Sequence, residues 1–169
     1  MNDFDYDVII LGGGSAGIVS GVMAGSLKLR TLLIEKNKMG GECLNTGCVP
    51  SKALLHAAKT AKTMRYAATI GLKDCPLERA DAAGVMDWVR SAIDRVRTAD
   101  ASDELLRQHG TEIRMGNARF EDAHTLVLDG QHLRAANFIL ATGSHPRVPE
   151  IPGLKDMCET SNMPAVRRT

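Results

Sequence analysis

The apolar positions first appear as one short continuous run. Tyr6 to Leu11, apolar and rich in β-branched residues apart from Asp7, stops at Gly12-Gly13-Gly14, as a short buried strand does before a turn. From Ser15 to about Leu27, Ile18, Val19, Val22, Met23 and Leu27 recur at helical spacing, which predicts a helix. Thr31 to Ile34 is a second apolar run and ends on Glu35. Strand, helix, strand implies parallel strands joined by a right-handed crossover.

The pattern then loosens. Lys36 to Glu42 is a polar, glycine-containing loop, and a helix is expected from about Pro50 to Met64, with Leu54, Leu55 and Ala58 on one face. A linker around Gly71 to Pro76 leads to a second helical stretch, roughly Ala83 to Arg97. Ser102 starts a short helix through Gln108 that stops before Gly110. Thr111 to Phe120, Thr125 to Leu128 and Gln131 to Arg134 read as strands, and Asp129-Gly130 is a hairpin signal. Phe138 to Ala141 is a final buried strand before Thr142-Gly143. No internal repeat or low-complexity segment interrupts this order.

Composition narrows the class. With 169 residues, 44% hydrophobic and 24% charged, the chain can bury a core as a globular domain does. A formal net charge of +1 supplies no field to steer nucleic acid or an acidic membrane surface. The start, Met1-Asn2-Asp3-Phe4-Asp5, is acidic where a secretory signal needs positive charge, and the apolar run after it is short. These features predict a cytoplasmic chain, where cysteines are more often catalytic or metal-binding than structural. The four cysteines stand at 43, 48, 75 and 158.

Gly12-Gly13-Gly14-Ser15-Ala16-Gly17 fits G-x-G-x-x-G between a strand and a helix. The first glycine permits the turn, the second lets the backbone approach a pyrophosphate, and the third lets the helix pack on the strand. Ligand charge would sit on the free amides of the helix N-terminus. Glu35 falls where the fingerprint expects an acceptor for ribose hydroxyls. The motif alone matches any glycine-rich turn; here the strand, the helix and the terminal acid agree. Nothing in it separates FAD from NAD.

Cys43 and Cys48 are five residues apart. In regular helix such residues rise about 7.5 Å and point away from each other, so helix through both would forbid a bridge. Gly47 lets the backbone deviate before Cys48. In a parallel sheet, the loops after the first and second strands open at the same carboxyl edge. Lys52 lies one turn beyond Cys48, and a nearby ammonium and a helix N-terminus both favour a thiolate. Two cysteines without further Cys or His partners make a poor zinc site. Two unrelated buried cysteines remain the bland alternative.

The stretch Gly40-Gly41-Glu42-Cys43-Leu44-Asn45-Thr46-Gly47-Cys48-Val49-Pro50-Ser51-Lys52 is similar to the G-G-[TE]-C-x-N-x-G-C-x-P-S-K signature of dihydrolipoamide dehydrogenases, mercuric reductases and related flavoproteins. Glu42 stands where many members carry Thr. Gly116 to Phe120 and Ile139 to Ser144 also resemble family segments that touch FAD, and Pro146 to Gly153 resembles the exit of the first FAD segment. The resemblance to class I pyridine nucleotide–disulfide oxidoreductases implies an α/β, Rossmann-like FAD/NAD(P)-binding fold. Its parallel sheet would carry a small antiparallel hairpin element and be incomplete at the C-terminus. It also implies electron flow from NAD(P)H to FAD, then to a Cys43–Cys48 disulfide, then to a small-molecule disulfide or metal-ion substrate. Cys43 would be the interchange thiol and Cys48 the thiol nearest the flavin, with Lys52 against the flavin ring. FAD would be held by Gly12, Gly14, Ser15, Gly17, Glu35, Gly41, Glu42, Ala141, Thr142 and Gly143, with the backbone of Ala118 at the adenine.

The family continues with a second dinucleotide domain for NAD(P)H, a returning FAD segment and a dimer-forming domain. Residues 1–153 are therefore expected to be the first segment of an FAD-binding domain, with 154–169 a linker toward an NAD(P)H domain, and the complete enzyme a homodimer. The chain is expected to be a fragment or truncated product with little or no NAD(P)H-driven turnover alone. His145-Pro146-Arg147-Val148-Pro149-Glu150 imitates the family's H-P-x-x-x-E element, but its position after Ala141-Thr142-Gly143 argues for a loop. His56 shares a helical face with Lys52; a packed or solvated role is expected. Trp88, with Val85, Val89 and Ile93, reads as core or partner-facing helix, and Cys75 and Cys158 as ordinary thiols. A non-catalytic FAD-binding remnant and a flavin-free small dithiol protein are the other readings.

Overall fold

A computed structural model describes residues 4–72, 80–99, 102–144 and 149–154. Cys75, Cys158, residues 145–148 and most of the Gly71 to Pro76 linker lie outside the described residues. Two compact units emerge: Met1–Cys43 with Asp100–Pro146, and Leu44–Ala99 with Arg147–Thr169.

The first unit is built on β1 (Tyr6–Leu11), α1 (Ser15–Ser26) and β2 (Thr31–Glu35), followed by the start of α2 (Gly41–Asn45). After the second unit the chain returns through α5 (Ser102–Gln108), β3 (Thr111–Met115), β4 (Ala118–Phe120), β5 (Thr125–Leu128) and β6 (Gln131–Leu140). The intervening second unit carries α3 (Cys48–Thr69) and α4 (Ala82–Ala99). One sheet of six strands runs β3-β2-β1-β6-β5-β4. β1 is parallel to β2, with Ile9 opposite Leu32, and to β6, with Ile9 opposite Phe138; β2 is parallel to β3. This is the expected α/β, Rossmann-like fold with an antiparallel hairpin attached.

Alternation along the strands sorts the core onto two faces. Ile9, Leu32 and Ile34 pack with Leu126, Leu128, Leu133 and Ala135 of the hairpin strands. Val8, Ile10 and Leu33 pack on the other face with Leu106 of α5 and with Ile18 and Val22 of α1. Because both faces are covered, Val8 to Leu11 of β1 and Leu32 to Ile34 of β2 need no polar positions, which explains their unbroken apolar runs.

Four differences from the sequence expectation have physical causes. The residues buried by α1 are Gly17, Gly21, Ala24 and Gly25, while Val19, Met23 and Leu27 are 57%, 63% and 73% exposed. Close approach of the helix to the sheet selects small residues. The expected strand from Thr111 to Phe120 is two strands, because Gly116, at φ +154°, turns the chain from the parallel pairing with β2 to antiparallel pairing with β5. The two expected strands around Gln131 and Phe138 are one, β6, which pairs with β5 through Arg134 and with β1 from Ala135 onward. The long helix begins at Cys48 rather than near Pro50 and runs to Thr69. Pro50 sits in its first turn, where a missing N–H costs nothing.

The hairpin matches expectation. Asp129 and Gly130, at φ +49° and +80°, link Leu128 to Gln131 in the primed turn geometry that suits strand twist.

In the second unit Ala53 of α3 packs with Val89 and Ile93 of α4 and with Leu44, with Val49, Leu54, Met86 and Ala92 around them. Trp88 is 40% exposed. Its ring lies 6.2 Å from that of His56, and the Arg95 guanidinium stands 4.6 Å above it.

Candidate dinucleotide and dithiol site

At the carboxyl end of β1 the backbone turns into α1 through three glycines. Gly12 has φ +111°, a conformation costly for other residues, and its N–H donates to the Ile34 carbonyl at 2.8 Å. A Cβ on Gly12 would strike the Ala141 carbonyl oxygen, and one on Gly17 would strike the carbonyl oxygen of Gly12. Gly14 differs: a Cβ there would meet only the Gly41 Cα, at 3.6 Å. A side chain at Gly14 would therefore pack in ordinary contact with the Gly41 backbone. No side chain caps the helix and no acid stands in its first turn, so its positive end is available to an anion. Ser15 is exposed beside it. These features fit a dinucleotide pyrophosphate.

Glu35 ends β2 almost fully buried, at 9% exposure. Its Oε2 accepts from the Gly13 N–H at 2.6 Å and its Oε1 from the Asn37 N–H at 2.7 Å. The following loop returns to the glycine turn: the Gly40 N–H donates to the Gly13 carbonyl at 2.9 Å, and the Met39 side chain lies against Gly13. Gly41, at φ +57°, passes so close to Gly14 that a Cβ would stand 2.6 Å from its Cα.

The end of β6 completes the edge. The Ala141 N–H donates to the Leu11 carbonyl at 2.8 Å, bringing Ala141 beside Gly12, with Thr142 and Gly143 exposed beyond it. The Gly116 N–H donates to the Glu35 carbonyl at 2.9 Å, so the turn into β4 and half-buried Ala118 begins at the same strand end. The structure thus gathers Gly12, Gly14, Ser15, Gly17, Glu35, Gly41 and Ala141, with Thr142, Gly143 and Ala118 following from that edge. Sequence reasoning missed Gly13, Asn37, Met39 and Gly40 as its scaffold. The middle glycine of three and the Gly40-Gly41 doublet were the available signals.

Glu42 and Cys43 follow Gly41 in α2, and both are exposed. Cys48 opens α3, also exposed, and both cysteines are thiols. The helical path is broken between them at Thr46 and Gly47, where Gly47 takes φ −111° and ψ −101°. Regular helix does not run through both cysteines, so that objection to a bridge falls away. Cys48 and Lys52 belong to the helical unit, with Lys52 exposed one turn along α3. His56, a further turn along, is exposed apart from its contact with Trp88.

The resolved electrostatic perturbations lie elsewhere. Near the amino ends of the strands, Tyr6 donates to Glu112 Oε2 at 2.7 Å, and Arg114 Nε donates to Glu112 Oε1 at 2.7 Å. Burial, then the Glu112 bond and its charge, push the Tyr6 phenol up to about 12. Burial raises the Glu112 carboxyl, but bonds from Tyr6 and Arg114 outweigh it and hold the group below its ordinary value. Among the described residues, no cluster of three or more His, Cys, Asp or Glu could hold a metal ion, and no helix is long and apolar enough to cross a membrane.

A glycine turn feeding a helix, with an acid at the neighbouring strand end, defines a dinucleotide-binding fold. Residues 6–167 match the pyridine nucleotide-disulphide oxidoreductase family, and the chain belongs to that family. It is 32% identical over 155 residues to a mercuric reductase of Staphylococcus aureus, covering 92% of this chain and 28% of the relative. It is likewise 32% identical over 155 residues to a dihydrolipoyl dehydrogenase of Acholeplasma laidlawii, covering 92% of this chain and 46% of the relative. Among solved structures it resembles the HOCl-induced flavoprotein disulfide reductase RclA from Escherichia coli, with a TM-score of 0.68 and 25% identity over 88% of this chain and 30% of that one. The chain therefore spans less than half the length of these relatives.

Proposed function

We propose that this chain is the FAD-binding, dithiol-bearing part of an NAD(P)H-dependent disulfide oxidoreductase of the dihydrolipoamide dehydrogenase or mercuric reductase kind. The observation that carries the reading is the stitching of the glycine turn to the loop that leads into Cys43. The open N-terminus of α1, with Gly12, Gly14, Ser15 and Gly17, would receive the pyrophosphate. Glu35 would accept ribose hydroxyls, the backbone of Ala118 would meet the adenine, and Gly41, Glu42 and Ala141 to Gly143 would line the remaining contacts. Bound there, FAD would carry two electrons between a nicotinamide donor and a Cys43–Cys48 disulfide.

The chain's own chemistry is thiol–disulfide exchange. In the reduced pair the Cys43 thiolate attacks a substrate disulfide, forming a mixed disulfide and expelling one substrate thiol. Cys48 then attacks the Cys43 sulfur, expelling the second substrate thiol and closing the Cys43–Cys48 bond. The pair loses two electrons and the substrate gains them. Cys48 stands in the first turn of α3, with Lys52 one turn further along the helix. The same dithiol offers two soft ligands to a metal-ion substrate. The complete enzyme is proposed to be a cytoplasmic homodimer.

The test has two readouts. Titrating FAD into the chain should quench flavin fluorescence at one equivalent, and mass spectrometry after mild oxidation should find Cys43 linked to Cys48. Bridging without flavin binding would mark a flavin-free dithiol protein instead. Flavin binding without a bridge would mark a non-catalytic remnant.

A further inference from the structure

Glu35 is bound on both of its oxygens before any ligand enters. Oε2 holds the Gly13 N–H at 2.6 Å and Oε1 the Asn37 N–H at 2.7 Å, from a side chain at the near-buried end of β2. These amides belong to the two loops that meet at the carboxyl edge. Gly13 is held at its other end as well, since its carbonyl accepts from Gly40 at 2.9 Å. An added Cβ at Gly13 would meet the Met39 sulfur and, at 3.2 Å, the Cβ of Glu35. The middle of the glycine turn is thus fixed by its N–H, its carbonyl and its packing, all from the β2 side.

We infer that Glu35 is a positioning residue that sets the shape of the pyrophosphate turn. This role rests on the FAD reading above and is additional to accepting ribose hydroxyls. The two roles are compatible, because a carboxylate offers about four lone-pair sites and the backbone uses two. The requirement for glutamate is specific. Glutamine would present an amide NH2 to one of the two N–H groups, leaving a near-buried donor without an acceptor. Aspartate, one methylene shorter, could not span both loops. Bonds from N–H groups to an ionised carboxylate are also stronger than neutral ones, so the turn is preorganised and binding need not order it.

Hydrogen exchange on the ligand-free chain tests the clamp directly. The Gly13 and Asn37 amides should both be protected in the wild type, and at least one of the two should exchange at least about tenfold faster in each of Glu35→Gln and Glu35→Asp, with β1 and β2 still protected. Rapid exchange at both amides in the wild type, or unchanged exchange in both variants, would overturn the inference. A second arm compares ADP with 2′,3′-dideoxyadenosine 5′-diphosphate, which lacks the ribose hydroxyls. Glu35→Gln should weaken both by about tenfold. A loss confined to ADP would leave Glu35 a ribose acceptor only and overturn the positioning role. If neither nucleotide nor FAD binds the wild type, the dinucleotide reading fails, while the exchange arm still decides whether the clamp exists.

Discussion

Replacing Gly17 by alanine pits two effects against each other. Alanine in place of glycine inside a helix is worth about 1 kcal/mol from backbone entropy and helix propensity. Against this, the new Cβ would strike the Gly12 carbonyl oxygen, with the Gly12 carbonyl carbon at 2.9 Å. That oxygen has no rotor to turn away. Gly12 is pinned by its N–H bond to Ile34 and by its φ of +111°, with the Ala141 carbonyl behind it. Relief requires α1 to move off β1, an overpacking cost at the upper end of about 1–3 kcal/mol. The net loss is about 2 kcal/mol, or a fall in Tm of about 4–8 °C for a chain of this size. Gly21→Ala is the control on the same helix face. Its Cβ would meet a terminal methyl of Leu106 at 2.5 Å, with Thr111 and Ile10 at ordinary contact. A rotamer adjustment costing about 1 kcal/mol roughly cancels the propensity gain, so its Tm should stay within about 2 °C of wild type. Thermal unfolding followed by circular dichroism measures both. A Gly17→Ala chain as stable as wild type, or a Gly21→Ala chain falling as far as Gly17→Ala, would refute the reasoning.

Serine at either Cys43 or Cys48 should abolish the oxidised intramolecular bridge found by thiol mapping, without altering the far-ultraviolet spectrum, since both side chains are exposed; a surviving bridge to another cysteine would show the pairing to be wrong. Gly130→Ala tests conformation alone, because its Cβ would meet nothing within 4 Å yet φ is +80°: chemical denaturation should show a loss of about 1 kcal/mol, and no loss would mean the turn relaxes freely. Tyr6 should ionise only near pH 12, visible as a phenolate absorbance step missing from Tyr6→Phe. Because its folded value is raised, its contribution to stability is whole below about pH 10 and is lost as pH rises through the folded value; a Tyr6-dependent step near pH 10 would contradict the network. For Glu112 the folded value is lowered, so its contribution is present above its ordinary range and lost in acid, and Glu112→Gln should flatten the acid limb of the stability profile.

The fold was legible where one physical effect dominated. Val8 to Ile10 and Thr31 to Ile34 are buried, with side chains packed on both faces, so their apolar runs pointed to parallel strands without needing tertiary context. Asp129-Gly130 was legible because few residues tolerate positive φ twice in succession. The buried face of α1 was not, because glycines pack there through backbone proximity and leave no hydrophobic signal, while Val19, Met23 and Leu27 carry one on the exposed side. β6 was split in two because Arg134, Ala136 and Asn137 interrupt its apolar pattern where it changes partners. Within the site, the glycines and Glu35 were visible through their spacing. The double engagement of Glu35 was not, since it depends on two backbone amides whose side chains do not matter.

The sheet order also dictates a timetable for synthesis. β1 is made first and lies at the centre of the parallel strands, flanked by β2 and β6. β2 follows almost at once, but the end of β6 emerges roughly 130 residues after β1, about 6.5–26 s later at ribosomal speed. During that interval the Val8–Ile10 backbone has one unsatisfied edge, and the strand is apolar on both faces. Such an edge invites wrong partners. The helical pair α3 and α4, whose contacts are local in sequence, can form while the strand waits. The nascent chain is therefore most vulnerable before Gln131 to Leu140 has cleared the exit tunnel, which is where a holding chaperone would engage it.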